Sequence, residues 1–258
     1  MVIKPWQEHY ADKLFSPEES VSKIRNGQAI FVSSGAGEPL LLTKTLARLA
    51  KRFADLHVIQ LTATPAGAIL ASAEVEQTFR YNTLYLGRGR SRGGEGRMDF
   101  TPMNLSELPR AIMGGIFPLD VALIQISPPD DIGLCSLGVS VDASRAAIEH
   151  ATLVIAQVND QMPVTMGDSL VHVDDLDCLV EGSCPLPEMP GAEISPVDLT
   201  IGYHVASLVE DGMTLHLDRG AITSATMKYL DTKKDLGIHT DLLTDDILTL
   251  MRSRAVTN

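Results

Sequence analysis

Residues 29–56 read AIFVSSGAGEPLLLTKTLARLAKRFADL, and this stretch decides the fold class. The first six residues, AIFVSS, are typical of a buried strand, and the residues from 40 onward repeat apolar side chains at helical spacing. A turn with the sequence GAGEP, residues 35–39, joins the two. A strand, a glycine-containing turn and a helix in this order predict one unit of an α/β fold with a parallel sheet.

The same alternation continues on both sides of this unit. Residues 16–19, SPEE, predict a capped helix that ends near Gly27. The run VALIQIS at 121–127 is apolar almost throughout, as expected for a strand covered on both faces. We also predict strands at 57–62, 84–86 and 153–158, and helices near 66–74 and over 142–150. The expected fold is a mostly parallel sheet with flanking helices.

A polar, proline-rich stretch, SCPLPEMPGAEISP at 183–196, is the best candidate for a linker. We therefore divide the chain into an α/β domain, residues 1–190, and the start of a second α/β domain, residues 191–258. The predicted elements of the second part are helices at 196–211, 222–231 and 244–253 and strands at 213–217 and 236–238. Because two short strands do not close a core, we expect a partner chain to supply the missing C-terminal half. The alternative is a contact with a second copy of this chain, in a higher oligomer.

Composition and charge restrict the class of protein. The chain has 258 residues, 45% of them hydrophobic, and a formal net charge of −12. This is globular composition, and the acidic charge argues against a nucleic-acid partner. No apolar run approaches the roughly 20 residues of a membrane span, and the start, MVIKPWQEHYADK, has no signal-peptide core. The three cysteines form no CxxC pair and the seven histidines no HxxxH motif, so we expect free thiols in the cytoplasm and no metal site.

The turn at 35–39 is the first candidate site. Glycines let a ligand approach the backbone, and the start of the following helix favours an anion. The motif is not a full dinucleotide fingerprint, because Leu40 stands at its last glycine position. Two interpretations stay open at this point. One is a tight structural turn whose glutamate caps the next helix; the other is an oxyanion- or substrate-binding turn made of Gly35, Ala36, Gly37, Glu38 and Pro39.

A basic segment, GRGRSRGGEGR at 87–97, is the second candidate, with four arginines among its eleven residues. The planar guanidinium of arginine recognises phosphate, so Arg88 and Arg90 are candidates for contacting the phosphates of a ligand. A solvated surface loop is the alternative.

The remaining candidates come at or after the ends of predicted strands. Ser127 and Pro128 end the strand at 121–127, at the edge of the sheet where α/β proteins bind ligands. Asp241 follows the strand at 236–238 and is either a nucleophile or base, or a cap of the next helix. Two amide side chains near strand ends, Gln125 and Asn159, are further candidates to line a pocket.

The chain resembles the acetyl-CoA hydrolase/4-hydroxybutyrate CoA-transferase family of class I CoA-transferases. Five segments carry the resemblance, in this order: GAGEP (35–39), GRMDFTPMNLSELP (96–109), VALIQISPPDDIGLCSLGVSVD (121–142), VIAQVNDQMPVTMGDSLVHV (154–173) and DLGIHTDLLTDD (235–246). The resemblance covers essentially the whole chain. It implies two related α/β domains, coenzyme A bound as acyl-CoA, and a carboxylate as the acceptor of CoA.

In this family a glutamate carboxylate attacks the acyl-CoA thioester, and acyl group and CoA are exchanged through an anhydride and a glutamyl-CoA thioester. The resemblance places Asp241 at that glutamate and matches Gly35, Gly37 and Pro39 to the glycine-rich turn. It also aligns Gly220, Ala221 and Ile222 with the CoA-binding turn of the second domain, and we add Arg88 and Arg90 as CoA contacts.

Departures from the family pattern leave the function open between three readings. Asp241 is one methylene shorter than glutamate, Asp218 replaces the first glycine of the CoA turn, and family members continue beyond residue 258. The first reading is a subunit of a CoA-transferase-like enzyme with a carboxylate nucleophile. The second is altered acyl chemistry on the same scaffold: thioester hydrolysis, decarboxylation or biosynthetic acyl transfer. The third is a non-catalytic subunit that stabilises an active partner.

Overall fold

The computed structural model describes residues 6–62, Leu70, Val75, 78–85 and 98–257. Its contacts divide the chain into two compact units, Met1–Glu188 and Met189–Asn258, and this boundary falls inside the proline-rich stretch at 183–196. Across the described residues, no helix is both long enough and apolar enough to cross a membrane. The cysteines Cys135, Cys178 and Cys184 are free thiols.

A seven-stranded sheet forms the centre of the first unit. Its strands are β1 (Ala29–Val32), β2 (Leu56–Gln60), β3 (Phe79–Thr83), β4 (Met98–Phe100), β5 (Val121–Ile126), β7 (Leu153–Val158) and β9 (Cys178–Glu181). They lie in the order β4-β3-β2-β1-β5-β7-β9, and each neighbouring pair is parallel. A short antiparallel pair, β6 (Leu134–Ser136) and β8 (Leu170–His172), lies outside this sheet. The predicted α/β fold with a mostly parallel sheet is confirmed.

Helices cover both faces of the sheet, as a parallel sheet requires. Among the described residues of this unit, the α-helices are α1 (Trp6–His9), α2 (Pro17–Val21), α3 (Leu40–Arg48), α4 (Leu108–Met113) and α5 (Ser144–His150). One apolar core contains Leu42 and Leu46 of α3, and the other contains Ile112 of α4 and Ile148 of α5. Every residue of β5 is buried, which explains why its sequence is apolar almost throughout.

Two local expectations differ from the structure. The helix that begins with the capping box of Ser16 and Glu19 forms as predicted but ends at Val21. Leu84 and Tyr85, the described part of the strand expected at 84–86, form no strand; β3 lies at Phe79–Thr83 instead and pairs with β2. The sequence FRYNT buries Phe79 and Tyr81 in one core while Arg80 bonds to Asp99, so alternation rather than an apolar run marks this strand. The helix expected near 66–74, apart from buried Leu70, and the segment 87–97 lie outside the described residues.

The β9 edge of the sheet is bordered by the N-terminal segment. Leu14 forms an isolated parallel bridge with Leu179. Beside it, the Lys13 Nζ donates to the carbonyl oxygens of Val173 and Leu176, each at 2.8 Å. Residues near the start of the chain therefore pair with β9, the last strand of the sheet, at its outer edge.

The second unit contains three helices and two strands. These are α6 (Pro196–Ser207), β10 (Thr214–Leu215), α7 (Ala221–Met227), β11 (Gly237–Ile238) and α8 (Asp245–Arg252), and β10 and β11 are parallel. All five predicted elements form and are shorter than predicted, and α7 begins one residue before its predicted start. Their small core includes Ala206, Met227, Leu230, Leu236 and Leu250. The helices α6 and α7 pack at Gly202, where a Cβ would lie 2.7 Å from the backbone of Ala225 and Thr226.

Candidate active site

The GAGEP turn leaves the carboxyl end of β1, the central strand of the sheet. Residues Gly35–Gly37 form a 3₁₀ turn and α3 begins at Leu40. Gly35 has φ +58°, which favours glycine, and Gly37 packs against Ser140, to whose Cβ a Cβ at position 37 would lie only 2.7 Å. In parallel sheets this edge, where neighbouring connections run to opposite faces, is where ligands bind.

Backbone hydrogen bonds fix most of this turn. The N–H groups of Gly35, Gly37 and Glu38 donate to the carbonyl oxygens of Thr62, Ser34 and Gly35, respectively, each at 3.2 Å. The Ala36 N–H has no acceptor among the described residues, and Ala36 is partly exposed. One backbone donor of the turn is therefore left for a ligand. Pro39 rather than Glu38 stands at the N-cap of α3. Glu38 is buried beside it, and its capping role stays a prediction.

Gln125 joins this turn to β5. The side chain is 2% exposed, and its Nε2 donates to the carbonyl oxygens of Ala36 at 3.4 Å and Glu38 at 3.3 Å. Asn159, beyond the end of β7, donates to the Gln125 Oε1 at 2.9 Å. The two amide residues that the sequence placed near strand ends thus lie together beside the turn.

Asp142 was not a candidate from the sequence, yet it holds the start of the turn. Its Oδ2 accepts the Ser34 N–H at 3.1 Å, and its Oδ1 accepts the N–H and the hydroxyl of Ser144 at 2.8 and 2.7 Å. Part of the residue stays exposed. Burial of the carboxylate nevertheless raises its pKa to about 6, because this effect outweighs the hydrogen bonds, which lower the pKa. The only signal in the sequence was its place two residues before Ser144, as in an Asx turn.

Ser127 and Pro128 lie at the same edge of the sheet as the turn. The Ser127 hydroxyl accepts the Ser136 N–H at 2.8 Å and donates to the Pro128 carbonyl oxygen at 3.2 Å. Ser127 is buried and Pro128 is partly buried. This hydroxyl is engaged within the protein, and a substrate-binding role for the pair stays a prediction.

The strand ends of the second unit carry Asp241. His239 N–H donates to the Leu215 carbonyl oxygen at 2.9 Å, and the Thr240 hydroxyl donates to that of Leu217 at 2.6 Å. These bonds join the segments that follow β10 and β11 and leave the Asp241 side chain exposed just beyond them. The rings of His216 and His239 lie 6.5 Å apart at the same strand ends.

The predicted CoA turn of the second unit opens α7. Gly220 is the N-cap of this helix, Ala221 and Ile222 are its first residues, and a Cβ at Gly220 would meet no atom within 4 Å. Asp218, two residues earlier, is exposed and its Oδ1 accepts the Arg219 N–H at 2.6 Å. Arg88 and Arg90 lie outside the described residues, and the CoA-binding assignments stay predictions.

Two other features do not coincide with these positions. A cavity of about 300 Å³ at the amino-terminal half of the sheet is lined by His57, Arg80, Asp99 and Asp120, among others, and by none of the predicted site residues. Within the described ranges, no three His, Cys, Asp or Glu side chains are grouped so that they could hold a metal ion.

Comparison with known proteins identifies the family. The chain is 39% identical over 254 residues to the 4-hydroxybutyrate coenzyme A transferase of Clostridium kluyveri, covering 98% of this chain and 59% of that protein. It is 39% identical over 246 residues to the succinyl-CoA:acetate/propanoyl-CoA:succinate CoA transferase of Fasciola hepatica, covering 93% of this chain and 51% of that one.

Solved structures agree with this comparison. RipA from Yersinia pestis superposes with a TM-score of 0.90 at 31% identity, covering 98% of this chain and 61% of that chain. The 4-hydroxybutyrate CoA-transferase of Porphyromonas gingivalis gives 0.84 at 31% identity, covering 97% and 59%. The chain thus spans half to three fifths of the length of these relatives. Residues 3–190 match the family model described as the acetyl-CoA hydrolase/transferase N-terminal domain. The chain therefore belongs to the acetyl-CoA hydrolase/transferase family.

Proposed function

We propose that this chain is part of a CoA-transferase-like enzyme that acts on an acyl-CoA thioester through the carboxylate of Asp241. The observation that carries the proposal is an exposed aspartate three residues beyond the end of β11, in the segment GIHTD, in a chain whose relatives are CoA transferases. A carboxylate at the end of a strand is held by the sheet while its oxygens stay accessible to a substrate.

The proposed reaction exchanges CoA between two acids by covalent catalysis. An Asp241 oxygen attacks the thioester carbonyl, the CoA thiolate leaves and an acyl-aspartyl anhydride forms. The thiolate then attacks the aspartyl carbonyl, which releases the first acid as a carboxylate and leaves an aspartyl-CoA thioester. The acceptor carboxylate attacks this thioester, the thiolate leaves again, and its attack on the new acyl carbonyl gives the product acyl-CoA and restores Asp241.

The GAGEP turn receives a separate role in this proposal. Oxyanions of acyl transfer are stabilised by backbone N–H groups that are fixed before the reaction. The partly exposed Ala36 N–H, in a turn whose other N–H groups from Ser34 to Glu38 are bonded within the chain, supports this role. We assign residues 35–39 to oxyanion or substrate binding.

The decisive experiment traps the covalent intermediate. The assembly isolated from its own cells is incubated with acyl-CoA and treated with borohydride, which reduces an aspartyl thioester to an alcohol, and residue 241 is then analysed by peptide mass spectrometry. We expect the reduced residue at 241 only when acyl-CoA is present, and no turnover in Asp241→Ala. Asp231→Ala, which removes another exposed aspartate of the same unit, should retain activity. Full activity of Asp241→Ala would refute the proposal.

Thioester hydrolysis is the second candidate, because two exposed histidines, His216 and His239, lie at the strand ends that precede Asp241. A neutral imidazole can take a proton from water that attacks an acyl carbonyl. Release of CoA without any carboxylate acceptor, lost in His216→Gln, would favour hydrolysis. Absence of acyl-CoA binding would favour a non-catalytic subunit instead.

The proposal includes a partner chain or a second copy of this chain in the cytoplasm. Exposed apolar side chains in the second unit support it: Val197 is 66% exposed, Leu208 76% and Leu243 75%, a pattern associated with interaction surfaces. The native mass of the assembly, with every chain in it identified, tests this part. A stable monomer would exclude it.

A further inference from the structure

The side chain of Gln125 uses its full hydrogen-bonding capacity. Its Nε2 donates two bonds, to the Ala36 and Glu38 carbonyl oxygens. Its Oε1 accepts two, from the Gln157 Nε2 at 3.2 Å and the Asn159 Nδ2 at 2.9 Å. An amide has two donor hydrogens and two acceptor lone pairs, so this buried group has one orientation that satisfies every partner. A flipped amide would set its oxygen against two carbonyl oxygens.

The two partners of Gln125 are themselves fixed. Gln157 faces Gln125 in register across the β5–β7 pair; its Oε1 accepts the Leu41 N–H at 3.0 Å and its Nε2 also donates to Gly182 O at 2.8 Å. Asn159 exchanges two bonds with the backbone of Cys184, at 2.8 and 3.1 Å. Three residues of the segment 36–41, namely Ala36, Glu38 and Leu41, are thus connected to the ends of β5, β7 and β9.

We propose that Gln125 is a positioning residue that sets the direction of the peptide groups of the GAGEP turn. The proposal rests on the proposed function, in which this turn binds the oxyanion or the substrate. Because the Ala36 and Glu38 carbonyls are held by one rigid amide, the peptide groups between them cannot rotate independently. Displacement of a catalytic group by about 1 Å lowers a rate on the order of 10²-fold. Loss of the Gln125 hydrogen bonds should therefore lower kcat.

A matched pair of glutamines separates positioning from simple stability. Gln60 ends β2 on the other side of β1 and is also fully buried; its Nε2 donates to Ser33 O at 3.1 Å and its Oε1 accepts the Tyr81 hydroxyl at 2.7 Å. Substitution to glutamate keeps the shape at either position but replaces a donor NH₂ by oxygen. In Gln125→Glu the new oxygen faces the carbonyl oxygens of Ala36 and Glu38 in the turn. In Gln60→Glu it faces the Ser33 carbonyl oxygen at the end of β1. Gln125→Met keeps the length and removes the bonds.

The test combines two measurements on each variant. Amide hydrogen exchange of the peptide covering 34–41 reports the turn without requiring activity. Kinetics with acyl-CoA, in the assembly isolated from its own cells, report kcat and KM. In Gln125→Met and Gln125→Glu we expect faster exchange at 34–41 and a loss of kcat of about tenfold or more, with KM for acyl-CoA changed by less than about threefold. Gln60→Glu should lower the unfolding midpoint but keep kcat.

Each contrary result has one meaning. Unchanged exchange at 34–41 in both Gln125 variants overturns the positioning role. An equal loss of kcat in Gln60→Glu also overturns it, because the loss then follows stability. If the unmodified assembly shows no turnover and no covalent intermediate, the proposed function fails, while the exchange measurement still decides whether Gln125 holds the turn.

Discussion

Gly37 and Ser140 pack so closely that a Cβ on the glycine would lie 2.7 Å from the Ser140 Cβ and 3.4 Å from its carbonyl oxygen. The turn at 35–39 and the segment before α5 are therefore in direct contact. This contact leaves no room for any other residue at position 37 unless the turn or residue 140 moves.

Gly37→Ala should therefore displace the turn. We expect the free energy of unfolding to fall by about 1–3 kcal/mol, as for overpacked sites in general, and acyl-CoA turnover to fall with it. Urea denaturation and steady-state kinetics measure the two effects. Gly191→Ala is the control, because a Cβ there meets nothing within 4 Å. Wild-type stability of Gly37→Ala would contradict the close contact.

Asp142 should make stability depend on pH. Its pKa is raised from 3.8 to about 6 in the folded chain, so between these values the folded state binds the proton more tightly than the unfolded state. The contribution is fully present below about pH 4 and is lost as pH rises through 6, by about 3 kcal/mol in all. From pH 4 to pH 7, wild type should therefore lose about 2 kcal/mol of unfolding free energy relative to Asp142→Asn, whose side chain does not titrate. A difference independent of pH would show that Asp142 does not titrate in this range.

Asp241→Glu should raise the rate of CoA transfer. The family resemblance places a glutamate at this position, and the additional methylene extends the carboxylate by roughly 1 Å, a displacement that changes rates on the order of 10²-fold. Initial rates with acyl-CoA and a carboxylate acceptor measure the effect. Asp231→Glu is the control, because it lengthens another exposed carboxylate of the same unit by one methylene. A lower rate in Asp241→Glu would indicate that the site is built around the shorter side chain.

Gly202→Val should destabilise the second unit, because the new side chain would meet the backbone of Ala225 and Thr226, both at 2.7 Å. Backbone atoms cannot move aside as a flexible side chain can, so we expect α6 and α7 to separate. Hydrogen exchange of peptides from 196–230 should lose protection in this variant. Thr200→Val, at an exposed position of α6, introduces the same side chain without the contact and should keep it.

Thiol labelling should distinguish the three cysteines. Cys135 and Cys178 are fully buried, and burial raises the pKa of Cys135 to about 12 and that of Cys178 above its ordinary value. Since the thiolate is the reactive form, only the partly exposed Cys184 should react with iodoacetamide in the native chain. All three should react in denaturant. Peptide mapping identifies the modified residues, and native labelling of Cys135 would contradict the packing.

The main elements of the fold follow from local sequence. The strands at 29–32, 121–126 and 153–158 are mostly apolar because both of their faces are covered, and capping residues such as Ser16 and Ser195 mark helix starts. The strands that were missed are short or alternate. β3 alternates buried and polar residues, and β4, only three residues long, depends on pairing with β3 for its existence.

The site was only partly predictable for a different reason. Glycines mark the turn at 35–39 because they act locally. The groups that hold it come from far away in sequence: Asp142 bonds to Ser34 across 108 positions, and Gln125 to Glu38 across 87. Such partners carry no local pattern, so an aspartate near a helix start or a glutamine near a strand end looks ordinary until the sheet brings it to the turn.

The Lys13 and Leu14 contacts with the β9 edge also constrain the order of folding. Lys13 meets the Leu176 carbonyl across 163 positions, so this contact cannot form until residue 176 has been synthesised. During synthesis this segment must wait, unpaired, until the final strand has emerged. Contacts of this length slow folding and lengthen the exposure of an open sheet edge. Once it pairs with β9, the N-terminal segment covers the edge of the sheet and shields its backbone groups from pairing with other chains.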